Sequence, residues 1–177
     1  MKNSLRLLAS LVAMLLLGAC DSQPESEKDA FFEGYRPVYL SHEALQRVVS
    51  TTPRELKDAG KIYALGEYVF VNEINRGIHV INNQNPSSPQ NVAFIQVPGN
   101  VDIAVKGDVL YADNGPDLVA LDIRNPTDVK VLKRIPNVFP NQMYPPQTNV
   151  RFECVDNSRG VVIGWEKATL TNPKCRR

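Results

Sequence analysis

Apolar positions in this chain fall into short runs separated by glycine, proline and asparagine, and the runs recur. One copy reads Gly66-Glu67-Tyr68-Val69-Phe70-Val71-Asn72, then Gly77-Ile78-His79-Val80-Ile81-Asn82, then Asn85-Pro86. A second reads Gly107-Asp108-Val109-Leu110-Tyr111-Ala112-Asp113, then Leu118-Val119-Ala120-Leu121-Asp122, then Asn125-Pro126. The copies stand about forty positions apart, the period of a four-stranded propeller blade. The pattern predicts strands near Ile62–Leu65, Tyr68–Asn72, Ile78–Asn82 and Val92–Val97 in the first copy. It predicts Asp102–Val105, Val109–Asp113, Leu118–Asp122 and Lys130–Ile135 in the second. Tyr68-Val69-Phe70-Val71 and Leu118-Val119-Ala120-Leu121 are continuously apolar, as in strands covered on both faces. Stacked blades meet that requirement; so does a two-sheet sandwich with covered outer faces.

The flanks read differently. Ser41 is a helix N-cap candidate with Glu43 in the first turn, and Ala44, Leu45, Val48 and Val49 form one apolar stripe before Pro53. Phe31–Leu40 reads as a mixed aromatic segment in which Val38-Tyr39-Leu40 is an extended piece lying on the domain, and Val150–Asp156 with Val161–Glu166 reads as a hairpin turning at Asn157–Gly160. The expected fold class is therefore mainly β: two consecutive four-stranded blade-like repeats stacked as an incomplete propeller, with a short N-terminal helix and a C-terminal β-hairpin. Two blades cannot close a ring of about four to eight. They stack as a capped pair or assemble with other chains.

The N-terminus carries a processing pattern. Lys2 and Arg6 precede the apolar stretch Leu7–Leu17, which ends in Leu17-Gly18-Ala19-Cys20. That tetrapeptide resembles the lipobox of bacterial lipoproteins. The resemblance implies a leader over 1–19, lipidation of Cys20 and a membrane anchor through the lipid. An ordinary secretory signal or a short anchor is the plainer alternative. Residues 20–30 are polar and acidic and read as a flexible tether. Asp21 resembles an inner-membrane retention signal, whereas an acidic cluster after the lipid cysteine also resembles a surface-export signal. The expectation favours the outer membrane or cell surface of a bacterial envelope.

The remaining organisation follows: an extended segment and short helix over 31–59, repeats over 60–100 and 101–137, a proline-rich linker over 138–149, and hairpin and tail over 150–177. Ile78-His79-Val80-Ile81-Asn82 and Leu118-Val119-Ala120-Leu121-Asp122, each followed by Asn-Pro, resemble the LVIVD repeat of secreted and surface bacterial proteins. The second is the better match, because Asp122 stands where the first copy has Asn82. The resemblance implies a propeller-like fold and supplies no catalytic motif.

Charge and chemistry add mostly exclusions. A net charge of +1 argues against a nucleic-acid partner. With Cys20 lipidated, Cys154 and Cys175 are left to pair as a disulfide or remain free thiols. No phosphate loop, nucleophile elbow or zinc spacing occurs. His79 lies inside a strand run and reads as a hydrogen-bonded sheet histidine, and His42 as solvated. Asp102, Asp108, Asp113, Asp117 and Asp122 cluster in the second copy without an EF-hand spacing. Neither a cofactor nor a metal is expected, and the function expected is a non-enzymatic binding or structural role. The alternatives are an interaction subunit completing a larger propeller-like assembly or, from another class, a glycan-active enzyme with convergent carboxylates. The candidate binding residues are Glu73, Asn75, Arg76, Asn114 and Asp117. They lie on equivalent connections that should emerge at one edge, where a protein or glycan partner would bind. Trp165 is expected to pack in the core or against the hairpin rather than to serve as a sugar platform.

Overall fold

A computed structural model describes residues 30–140 and 142–177. The expected leader, Cys20 and all of the expected tether but Ala30 lie outside the described residues. The first repeat builds β3 (Ala59–Leu65), β4 (Tyr68–Glu73), β5 (Gly77–Asn82) and β6 (Gln90–Gln96). The second builds β7 (Ile103–Lys106), β8 (Val109–Asn114), β9 (Asp117–Asp122) and β10 (Lys130–Ile135). Each is an antiparallel meander, and the two orders are β6-β5-β4-β3 and β10-β9-β8-β7. The chain is mainly β, and its blade-like sheets form an incomplete propeller.

The copies share their turn chemistry. Gly66 and Gly107, between the first two strands of each copy, both take φ of 56°, which glycine adopts without steric penalty. Asn82 Oδ1 accepts from Gln84 N at 2.9 Å, and Asp122 Oδ1 accepts from Arg124 N at 3.0 Å. Asn85 Oδ1 accepts from Ser87 N and Asn125 Oδ1 from Thr127 N. These Asx turns fold the chain just before each proline becomes a strand breaker.

The two sheets pack face to face. Phe70, Ile78, Val80, Ala93 and Ile95 of the first blade share one buried cluster with Ile103, Leu110, Ala112, Val119 and Leu121 of the second. Strand alternation makes this contact head to tail. Tyr111, Leu118 and Ala120, the second-copy counterparts of Phe70, Ile78 and Val80, lie on the opposite face from Ala112 and Val119. That far face is only partly covered: Tyr111 is 37% and Ile135 45% exposed. Counterparts of Ala112 and Val119 in the first copy are Val71 and His79, on that blade's far face. There the segment between β2 (Val49–Thr51) and β3 covers them, with the Arg54 guanidinium 4.2 Å from the Phe94 ring centroid.

Three expectations change. The N-terminal helix α1 covers only His42–Gln46, capped by Ser41 Oγ accepting from Ala44 N. Val49–Thr51, expected to carry the end of the stripe, is instead β2, a fifth strand beside β6. The β-branched residues Val48, Val49, Thr51 and Thr52 lose side-chain freedom in a helix and fit a pleated edge. Nor is there a C-terminal hairpin. β12 (Val161–Thr171) pairs along its length with β1 (Phe31–Leu40), from Phe31↔Thr171 to Leu40↔Val161. β11 (Arg151–Phe152) lies on the other side of β1, in parallel, and β13 (Cys175–Arg176) pairs with β11. β1 offers β12 a ten-residue ladder, whereas a hairpin with β11 would offer two. Cys154 and Cys175 are disulfide-bonded, with Cα atoms 5.3 Å apart, tying β13 to the end of β11. Trp165 packs in this sheet, edge-on to Phe152 at 5.4 Å, and donates its Nε1–H to Gln142 O.

Leu121 is fully buried between the blades, whereas Leu132 on the β10 edge is 55% exposed. Leu121→Ala should lower stability by about 3 kcal/mol in urea unfolding, and Leu132→Ala by about 0.5 kcal/mol or less.

Candidate functional site

The β4–β5 and β8–β9 turns emerge at the same end of the blade pair and meet the inter-repeat segment Pro98–Asn100. Asn75 N donates to Asn100 O at 2.7 Å, and Gly99 N donates to Asn75 O at 3.0 Å. The Asn114 side-chain amide donates to Pro98 O at 2.6 Å. The sequence thus brings these turns together as expected, but it does not leave them open. A Cβ on Gly164 of β12 would stand 2.8 Å from Asn75 Nδ2, and one on Gly115 would stand 3.3 Å from a Leu45 methyl. The terminal sheet and α1 therefore lie over the turns.

Each candidate residue is engaged by the fold. Glu73 and Asn114 are fully buried, and Asp117 is 8% exposed. Asp117 holds the chain leaving the second blade: Arg134 Nη1 lies 2.8 Å from its Oδ2, and Asn137 N donates to its Oδ1. Asn75 takes a left-handed φ of 64°, which asparagine tolerates, and is half-buried. Arg76 alone of the five projects a largely exposed side chain. The picture of a free loop surface carrying all five is corrected: short turns between two-faced sheets direct their polar side chains inward, toward unpaired backbone groups.

Two polar networks result. Asn100, fully buried, links the copies. It is hydrogen-bonded by the Asn72 amide and donates to Asp113 Oδ1 at 2.8 Å and Asp102 O at 2.8 Å. Asp113, the counterpart of Asn72, also accepts from the backbone N–H groups of Val101 and Asp102. Burial pushes the Asp113 carboxyl above its ordinary range, and hydrogen bonds from Asp102, Val101 and Asn100 only partly offset it. The acidic residues of the second copy serve separate local partners: Asp102 pairs with Lys61 and Asp122 with Arg124. Among the described residues, no cluster of histidine, cysteine and carboxylate side chains is placed to hold a metal ion.

The second network surrounds Glu73. Its Oε2 lies 3.0 Å from His79 Nε2, 2.8 Å from Arg54 Nη2 and 3.2 Å from Arg54 Nε; its Oε1 lies 3.2 Å from Arg76 Nη1. Asn91 Nδ2 donates to Arg54 O and faces His79 Nδ1 at 3.1 Å. An amide donor at Nδ1 and a carboxylate at Nε2 together assign the proton to Nε2. His79 is thus the hydrogen-bonded sheet histidine expected, and its ring also meets Phe94 edge-on at 4.9 Å. Arg54 carried no sequence signal: it follows Pro53 and stands among Glu55, Lys57 and Asp58, with no motif around it.

Residues 57–94 and 99–134 match the LVIVD repeat family. The chain carries two LVIVD repeats. These matched stretches coincide with the two blades, and Asn82 and Asp122, at the end of each repeat signature, are the Asx-turn acceptors described above. No curated protein and no solved structure matches the chain.

Burial works against an ionised Glu73, but hydrogen bonds from His79 and Arg54 prevail and hold its carboxyl below the ordinary value of 4.5. The unfolded chain therefore binds this proton more tightly than the folded one. The contribution is fully present above about pH 4.5 and is lost as pH falls through the lowered folded value. Glu73→Gln should cost about 2 kcal/mol at neutral pH. It should also flatten the acid limb of a stability–pH curve measured by urea unfolding.

Proposed function

We propose that this chain is a lipid-anchored protein of the bacterial envelope with no catalytic role, whose LVIVD repeat pair docks another protein. The observation that carries this reading is the open far face of the second blade. Head-to-tail packing makes Tyr111, Leu118 and Ala120 the counterparts of the first-blade residues already seated against a sheet. A surface built on the packed pattern and left partly exposed is what a docking face looks like. A second copy of this chain does not fit that face in the same way, because its complementary surface lies under the Arg54 segment. The occupant is thus a different chain presenting an uncovered blade-like sheet. This moves the docking site from the turns to the blade face, and favours the larger-assembly reading over a glycan-active enzyme. The Glu73 carboxylate, enclosed by His79, Arg54 and Arg76, is not offered to a substrate.

Support for the anchor comes from Leu17-Gly18-Ala19-Cys20 and the polar segment after it. The disulfide fits an oxidising compartment. Dual acylation suffices for stable anchoring, at about 0.8 kcal/mol per buried methylene. The acidic cluster favours the outer membrane or cell surface.

Cys20→Ala should abolish metabolic palmitate labelling; undiminished labelling would end the lipoprotein reading. A photo-crosslinker at Tyr111 in intact cells should give a discrete protein adduct that Ala120→Arg removes, while the same probe at Leu56, on the covered side, gives none. Monomeric protein by light scattering, together with no adduct at Tyr111, would overturn the docking role.

A further inference from the structure

Beside the first blade, α1, the end of β1, the β4–β5 turn and β12 enclose a cleft of about 380 Å3. That volume suits a small molecule. Arg47, Arg54 and Arg76 all line it, and no carboxylate does. Glu73 lies beneath, with its side chain fully buried, and takes Arg54 through Nε and Nη2 and Arg76 through Nη1. Arg54 Nη1, the other two nitrogens of Arg76 and the whole Arg47 guanidinium make no hydrogen bond among the described residues. Three cations over one carboxylate leave two positive charges facing an open cleft. Leu40 and Ile163 give the same cleft an apolar wall.

We infer that this cleft binds a small organic phosphate monoester. Such a group carries about −1.5 to −2 charge at neutral pH and three acceptor oxygens, which matches the two uncompensated charges. A guanidinium presents its donors as a planar fork suited to phosphate. Glu73 holds two of the three arginines from behind, so their side chains are already ordered when the ligand arrives. The buried carboxylate acts as a positioning group, and Arg47 closes the site from α1. The carbon skeleton of the ligand lies against Leu40 and Ile163. The site is separate from the far face of the second blade and stands whether or not that face docks a partner.

The test uses the full-length protein purified in a neutral detergent and titrated calorimetrically with phenyl phosphate at low salt. Saturable binding that weakens as salt rises is expected. Arg47→Gln, which removes no hydrogen bond of the fold, should weaken it about tenfold or more with Tm unchanged. Lys57→Gln, outside the cleft, should leave it intact. Competition separates the sources of the phosphate. Displacement at lower concentration by dihexanoyl phosphatidic acid than by glucose 6-phosphate supports a phosphorylated lipid headgroup, and the reverse order supports a soluble sugar phosphate. Absence of saturable binding at millimolar phenyl phosphate, or equal affinity in Arg47→Gln, would overturn the site.

Discussion

A sheet that is apolar on both faces needs a neighbour on each side, and two such sheets leave two ends to cover. Most of this architecture answers that constraint. The inner faces cover each other through Phe70, Ile78 and Val80 against Ala112, Val119 and Leu121. At the first blade's outer end the chain uses its own segment from Thr52 to Asp58, with Arg54 stacked on Phe94. At the second blade's outer end the described residues supply no such segment, and Tyr111 stays partly exposed. Two near-identical units thus differ in how their outer faces are covered.

Covering the first blade brings a charge into the interior. A carboxylate without solvent contact is costly unless hydrogen-bonded. Glu73 accepts from three side chains at once, and two of these are arginines whose remaining donors reach the surface. One buried acid therefore anchors the covering segment, sets the orientation of His79 and organises a basic cleft. Its second-copy counterpart, Asn114, is neutral, and its side-chain amide donates to Pro98 O. The difference follows from place: among the described residues, the covering segment that needs securing lies on the first blade.

Much of the fold was legible because the repeat signals are local. Gly66 and Gly107, the two Asn-Pro pairs and the apolar runs between them mark turns and strands without reference to the rest of the chain. The elements misread were those decided by distant partners. Val49–Thr51 could continue a helix until β6 is there to pair with it. Val150–Glu166 could form a hairpin until β1, more than a hundred residues earlier, intervenes. The candidate residues were correctly gathered at one end, since equivalent turns must lie together. Their burial was not legible, because it depends on Gly164 and Leu45 closing over them from the two ends of the chain. Arg54 was invisible for the same reason: its partners, Glu73 and Phe94, are brought to it only by the completed sheet.

The pairing of β1 with β12 has a kinetic consequence. Chains are synthesised from the N-terminus, so Phe31–Leu40 emerges more than a hundred residues before its partner Val161–Thr171. Each repeat can fold from short-range contacts as it appears, whereas this ladder must wait for Val161–Thr171 and then close a loop of more than a hundred residues. Until then the ten-residue strand presents open edges, a state vulnerable to proteases and to pairing with other nascent chains. A product cut short before residue 161 would retain both repeats yet leave Phe31–Leu40 without its long antiparallel partner, and so would never leave that vulnerable state.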